Sequence, residues 1–421
     1  MQKDIILEKF FEYNRWETAI QTGVDKNINK TKLRELCTEE KRKELLLKIV
    51  QGNYKIAPPH QQEIPKDDGT MRIVYINEDI DRIFLSISND LLFELMPEML
   101  HSRCKSYQKG IGCGKIVQQI SSEIMKYYDN GNIVGFKADL SKYFDSVPIK
   151  YIDNIFDKVE EKYGKSKVID IIRDYYHQDL CFNPQKELIS HYQSLKQGCA
   201  VASWLADVLL YHIDERLANM KGYYVRYSDD ILYIGSDYEQ AYEILARELN
   251  KMELILNPKK VELLSKDRWF KFLGFSIKGN LISLSKKRLG NFVKEIKHRT
   301  RYGLNYDKSV KLVNEYLYKG DYCWTKSVLA IINCQKDIDT MNTYIQDRLR
   351  MTITKKYHNF GLGTQYNHDN YCIERGNSKG IKNNISKTDK ELKDYKSLTC
   401  MRNVLLTNGT NVFDAIVSVT M

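Results

Sequence analysis

The sequence predicts an α+β fold, with strands in the middle of the chain and helices at both ends. Three observations carry this. Short runs rich in Val, Ile, Tyr and Phe, such as "NIVGFKAD" (132–139) and "YYVRYSDDILYIG" (223–235), have the composition of strands. Between them lie stretches with apolar residues at helical spacing, such as "DYEQAYEILARELNKM" (237–252). The segments before about residue 52 and after about residue 284 carry the helical spacing almost alone.

At 421 residues the chain is long enough for two or three packed lobes. Its apolar content of 43% and charged content of 29% are those of a globular protein. Lys and Arg number 65 against 55 Asp and Glu, a net charge of +10 that suits a polyanionic partner. The 29 tyrosines, interleaved with lysine, are stacking faces for bases or plain strand residues. Nine dispersed cysteines form no CxxC pair, which argues against a zinc site and for a reducing compartment. No apolar stretch reaches the ~20 residues of a membrane span, and the first residues do not read as a signal peptide. The expectation is a soluble, cytoplasmic protein without a membrane partner.

In chain order, "LRELCTEEKRKELLLKIVQG" is helical and stops at Gly52. Two extended runs then flank Asp67-Asp68-Gly69-Thr70, a hairpin signature. A helix follows over "DIDRIFLSISNDLLFELMPEML", then a glycine-rich loop, "SYQKGIGCGK", before another helix. That loop is not a phosphate loop: its spacing is one residue short, and Ile116 stands where Ser or Thr is required. "NIVGFKADLSKYFDSVP" reads as a strand entering a tight turn, 151–178 as helix, and 181–195 as a hairpin. "CAVASWLADVLLYHIDERLANM" reads as one long helix, and "VELLS" and "WFKFLGFSI" as strands. Boundaries fall near 284 and 358.

Asp229 and Asp230 lie side by side between two apolar runs. Alone, the pair suits a surface β-turn. At the end of a half-buried hairpin, two like charges repel unless a cation joins them. Asp139 ends another strand, and Asp145 follows in a turn. If the two strands are neighbours, Asp139 and Asp229 converge, and carboxylate oxygens so arranged suit Mg²⁺.

The order of these segments resembles the palm of a reverse transcriptase. "FKADLSKYFDSV" looks like motif A, "LKQGCAVASWLADVLL" like motif B, "YSDD" like motif C, "LNPKKVELL" like motif D and "WFKFLGFSI" like motif E. The resemblance implies a right-hand polymerase with fingers, a palm of antiparallel sheet plus helices, and a helical thumb. It implies two Mg²⁺ ions, with Asp139, Asp229 and Asp230 as catalytic and metal residues. "IPKDDGTMR" looks like the fingers hairpin, so Lys66 and Arg72 are expected on the incoming triphosphate. Phe144 stands at the sugar-gate position, Gln197 and Gly198 match motif B contacts to template and nucleotide, and Lys260 matches the motif D lysine. Tyr227 and Arg103 are expected near primer and template. Lys196 departs from the pattern, standing where the family has Pro.

The resemblance spans roughly 50–357, with helices such as "YLYKGDYCWTKSVL" similar to the thumbs of bacterial, group II intron-like enzymes. The expected divisions are an N-terminal helical extension (1–50), fingers (51–135), palm (136–284), thumb (285–358) and a C-terminal extension of unknown role (359–421). There is no room for RNase H or integrase domains, and the "NAxxH" and "VTG" marks of retron enzymes are absent. The chain most resembles the stand-alone, defence-associated bacterial reverse transcriptases of the unknown group. The implied partners are a structured noncoding RNA as template, a DNA primer and dNTPs, and the implied role is antiphage defence. The alternatives are a retron-type enzyme making RNA-linked DNA, protein-primed or template-independent DNA synthesis, and a maturase-like RNA-binding protein.

Overall fold

The computed structural model describes residues 3–24, 28–66, 69–108, 110, 112–127, 132–320 and 323–354, with positions 392, 395, 397 and 398. Asp67 and Asp68 of the expected hairpin turn, and nearly all of the expected C-terminal extension, lie outside the described residues. The chain forms two compact units, one of residues 1–109 and 135–263, the other of residues 110–134 and 264–421. These differ from the expected lobe boundaries because fingers, palm and thumb divide a chain by task, whereas the units divide it by packing.

The first unit opens with four helices, Ile5–Phe10, Tyr13–Thr22, Lys30–Leu36 and Glu39–Val50. Three begin at side chains that accept a free backbone N–H of the first turn: Asp4 from Leu7 at 2.9 Å, Asn29 from Lys32 at 2.8 Å and Thr38 from Lys41 at 3.4 Å. The first two pack on the helix Asp79–Leu95, with the ring of Phe10 5.0 Å from that of Phe84; the third packs on the second, and the fourth on the helix Lys167–His177. The Trp16 indole is buried there and donates to the Phe10 carbonyl at 2.9 Å, which satisfies its polar edge.

Strands β1 (His60–Pro65) and β2 (Met71–Ile76) form the predicted antiparallel hairpin, with Ile64 opposite Arg72. After β3 (Gly135–Asp139), the helices Ile149–Tyr163 and Lys167–His177 lead to a small hairpin, β4 (Leu180–Phe182) and β5 (Leu188–Ser190). This extends the first hairpin into the order β2-β1-β4-β5. A second sheet has the order β6 (Tyr223–Tyr227), β7 (Asp230–Ile234), β3 and β8 (Glu262–Leu264). Both β6 and β3 pair antiparallel with β7. Gly135 is required at the start of β3, since a Cβ there would lie 2.1 Å from the Tyr233 carbonyl oxygen. Helix Tyr238–Lys251 packs on this sheet through Tyr242, whose ring meets Phe136 edge-on at 5.5 Å.

One expectation is corrected here. The long helix read over 199–220 is two helices, Val201–Val208 and Tyr211–Ala218, broken at Leu209–Leu210. The cause is Arg226, sixteen or more residues later in sequence. Its guanidinium is fully buried and donates to the carbonyls of Ala206 at 3.1 Å and Asp207 at 2.8 Å, at the end of the first helix. The same group makes a two-pronged pair with Asp214 of the second helix, at 2.7 and 2.5 Å. Burial alone would lower its pKa, but Asp214 holds it well above the ordinary value, so it stays charged. Tyr224 also donates to Asp214, at 2.7 Å.

In the second unit, helix Cys113–Ile124 packs on a three-stranded antiparallel sheet, β9 (Phe270–Phe272), β10 (Phe275–Lys278) and β11 (Leu281–Leu284). "WFKFLGFSI" is therefore two strands rather than one. The chain reverses through Leu273 and Gly274, both at positive φ (49° and 80°). Arg288 supports the turn, donating to the Leu273 carbonyl at 3.2 Å and lying 4.2 Å above the Phe275 ring. Helices Lys286–Arg299, Tyr306–Tyr318 and Gln335–Thr354 complete the predicted helical segment.

Replacing Arg226 with Met strands the Asp214 carboxylate without its partner inside the core. The expected cost is about 3–5 kcal/mol. The double variant Arg226→Met/Asp214→Leu is expected to lose less than the sum of the single changes. Urea unfolding of the four proteins checks both. A wild-type midpoint for Arg226→Met would remove the pair from its central place.

Candidate active site

Register brings the predicted carboxylates to one sheet end. Asp139, the last residue of β3, stands opposite Asp230, the first of β7, so both side chains leave the same face. Asp229 sits in the turn beside them, and its carbonyl accepts the Leu140 N–H at 3.3 Å. Burial, with Asp139 and Asp230 adding repulsion, pushes the Asp229 carboxyl up to about 6. Burial also raises Asp230, against the pull of Lys137.

The turn is held by residue 228, at φ +57°, the left-handed region that side chains other than glycine occupy at a cost. Three contacts keep Ser228 there. Its N–H donates to Ser106 Oγ at 2.9 Å, its carbonyl accepts from Arg226 at 3.1 Å, and its hydroxyl accepts from Tyr107 at 3.3 Å. Ser106 in turn donates to the buried carboxylate of Asp207. The Tyr107 ring lies 6.5 Å from that of Tyr227, so two tyrosines stand beside the carboxylate turn.

Two lysines face the carboxylates. The segment after Leu254 is tied to the end of β3 by the Asn257 N–H on the Asp139 carbonyl (2.8 Å) and the Ser141 N–H on the Ile255 carbonyl (2.8 Å). Asn257 then caps the short 3₁₀ turn Pro258–Lys260. This carries the Lys260 ammonium onto both oxygens of Asp139, at 2.8 and 2.9 Å. Lys137, two residues before Asp139 and on the same face, stands 3.6 Å from Asp230. Among the described residues no three His, Cys, Asp or Glu side chains are placed to hold one ion together. At Asp139 the reason is plain: both oxygens point to Lys260.

The expected nucleotide residues gather around the motif A turn. Phe144 is half-buried, and its carbonyl accepts the Leu195 N–H at 3.1 Å, which joins the Asp139 segment to that of Gln197. The Gln197 carbonyl accepts the Tyr75 N–H of β2 at 2.7 Å. Gly198, at φ +110°, lies so close that a Cβ would be 2.8 Å from the Tyr75 carbonyl oxygen. The hairpin bearing Lys66 and Arg72 is thus docked on the Gln197–Gly198 loop. Desolvation lifts the Asp145 carboxyl, while Lys142, Lys66, His191 and Arg72 draw it down, so both hairpin cations act at the residue next to Phe144. Arg103 lies along β6: its carbonyl accepts the Arg226 N–H at 3.0 Å, and its guanidinium lies 5.3 Å from the Tyr223 ring at the start of that strand.

Sequence reading missed the supports: Arg226, Ser106, Asp207 and Tyr107 behind the turn, and Lys196 behind Gln197. Arg226 and Asp207 had a signal, being charges inside apolar runs that demand a partner. Lys196 is fully buried, donating to the Gln178 carbonyl at 2.7 Å and Gln193 Oε1 at 3.0 Å, 4.8 Å from the Tyr175 ring. At φ +51° its backbone takes a conformation closed to the Pro expected at this position, and the tethers hold it there.

Burial lowers the Lys196 pKa from 10.5 to about 8. Between those values the unfolded chain binds a proton that the folded chain releases, so stability rises with pH through that window. Relative to Lys196→Met, the wild-type unfolding free energy is expected to gain about 2–3 kcal/mol from pH ~7.5 to ~10. Urea titrations of both proteins at the two pH values measure it. A flat difference would show that the ammonium keeps its ordinary affinity for protons.

Known proteins can now be set beside this geometry. The family described as reverse transcriptase (RNA-dependent DNA polymerase) matches residues 64–277, just over half of the chain. No curated protein matches. Among solved structures, telomerase from Candida albicans in complex with a TWJ fragment of telomeric RNA is similar at 12% identity and a TM-score of 0.40, over 76% of this chain and 66% of that one. Apo telomerase from Candida tropicalis is similar at 11% identity and a TM-score of 0.43, over 71% of this chain and 58% of that one. This chain therefore spans about three fifths to two thirds of the length of those chains. The family match takes in Lys66, Arg72, the three carboxylates and Lys260, and the chain belongs to the reverse transcriptase family, the RNA-dependent DNA polymerases, a class of nucleotidyltransferases.

Proposed function

We propose that this chain extends a DNA primer 3′ end on an RNA template with the help of two Mg²⁺ ions. The observation that carries the reading is the opposition of Asp139 and Asp230 in register, with Asp229 beside them and raised by burial and by the charges of both. The donor set fits Mg²⁺, since it is all carboxylate oxygen and its mutual repulsion is relieved by a hard cation. Asp139, Asp229 and Asp230 would hold the ions, which when bound supply activation of the attacking hydroxyl and charge neutralisation at the leaving pyrophosphate.

The remaining roles belong to the chain's own side chains. Lys66 and Arg72, exposed on the hairpin and acting near Asp145, receive the triphosphate; arginine suits a paired phosphate contact and lysine a mobile one. Phe144 walls the sugar position, where an aromatic face passes deoxyribose and rejects a 2′-hydroxyl. Gln197 and Gly198 line the template and nucleotide side. Tyr227, with the Tyr107 ring alongside, seats the primer end. The basic helices from Lys286 to Thr354 suit the phosphates of a hybrid duplex.

The finer reading rests on the family resemblance: a stand-alone bacterial enzyme that copies a structured noncoding RNA in antiphage defence. Among the described residues Cys37, Cys104, Cys113, Cys181, Cys199 and Cys323 form no disulfide, in keeping with a reducing cytoplasm.

Asp139→Ala and the double variant Asp229→Ala/Asp230→Ala are each expected to lower synthesis on poly(rA)/oligo(dT) by about a thousandfold or more while RNA binding persists. Persistent synthesis would remove these residues from catalysis. Sequencing nucleic acid that copurifies with the chain is expected to return one RNA and its complementary DNA. RNA alone would favour a maturase-like role.

A further inference from the structure

Lys260 meets Asp139 head-on. Its ammonium contacts both carboxylate oxygens, at 2.8 and 2.9 Å, so Asp139 has no oxygen directed elsewhere. The contact has a built frame, because Asn257 is anchored on the Asp139 carbonyl and also caps the turn that carries Lys260. Yet the lysine itself is not locked in. Its side chain is 56% exposed against 13% for Asp139, so one partner is open to solvent and the other enclosed. Against the lowering effect of burial, Asp139 holds the Lys260 ammonium above its ordinary pKa. The second lysine, Lys137, is only 19% exposed and stands farther from its carboxylate, at 3.6 Å.

An ammonium on both oxygens and a divalent ion on those same oxygens exclude each other. We infer that Lys260 is an exchangeable internal counter-cation: it holds the Asp139 carboxylate until a divalent ion displaces it. This rests on the proposed polymerase reading and deepens it. Lys137 has no such freedom and keeps part of the negative charge compensated throughout.

The test uses the full chain without nucleic acid and Mn²⁺ as the probe, followed by electron paramagnetic resonance. Lys260→Ala is expected to bind Mn²⁺ roughly two- to fivefold more tightly than wild type, the size of a partly exposed ion pair removed from competition. Lys260→Arg keeps the charge and is expected to stay near wild type. In the wild type, acetylation of Lys260 by an acylating reagent, read by mass spectrometry, is expected to speed up several-fold as Mg²⁺ is added, while the rate at Lys137 is unchanged. Unchanged or weaker Mn²⁺ binding by Lys260→Ala, with Lys260 labelling indifferent to Mg²⁺, overturns the counter-cation role and leaves the polymerase reading standing. Mn²⁺ binding that Asp229→Ala does not alter overturns both.

Discussion

The buried pair of Arg226 and Asp214 is the constraint on which the first unit turns. A guanidinium with no solvent access must find about five hydrogen-bond acceptors, and here it finds them in three segments: two carbonyls ending one helix, the carboxylate of the next, and the carbonyl of Ser228. Burying such a pair is not in itself a source of stability, since desolvation consumes much of the Coulomb attraction. What it supplies is position. The helix break, the strand β6 and the carboxylate turn all meet the same planar group, so none can shift alone.

The nucleotide side is organised differently, through backbone. Leu195 is held by Phe144, Gln197 by Tyr75, and Gly198 fits because it lacks a side chain. These contacts join three segments distant in sequence through main-chain atoms. Lys196, buried behind them, stiffens the loop by holding the ends of neighbouring elements.

How much could be read from the sequence follows from range. The strands β3, β6 and β7 and the hairpin of β1 and β2 were legible because alternation and composition are local, and the pairing of Asp139 with the Asp229–Asp230 turn followed from motif order. The break at Leu209–Leu210 was not legible, since "ASWLADVLLYHIDERL" has unbroken helical spacing and the interrupting group comes from another strand. The turn at Leu273–Gly274 was missed for a similar reason: its support is Arg288, and a Leu at positive φ has no local signal.

Ser228 shows what a motif is made of. Its left-handed backbone is secured from above by Ser106 and Tyr107 and from below by Arg226, which itself leans on Asp214. The heritable unit is therefore not the four letters "YSDD" but a set of residues drawn from three stretches of chain. A transplanted turn without that set would carry the right letters on a backbone free to relax. Searches that weigh the four letters alone would accept such a decoy, whereas a charged Arg in the strand before the turn, matched by an Asp one turn into the preceding helix, would separate the two.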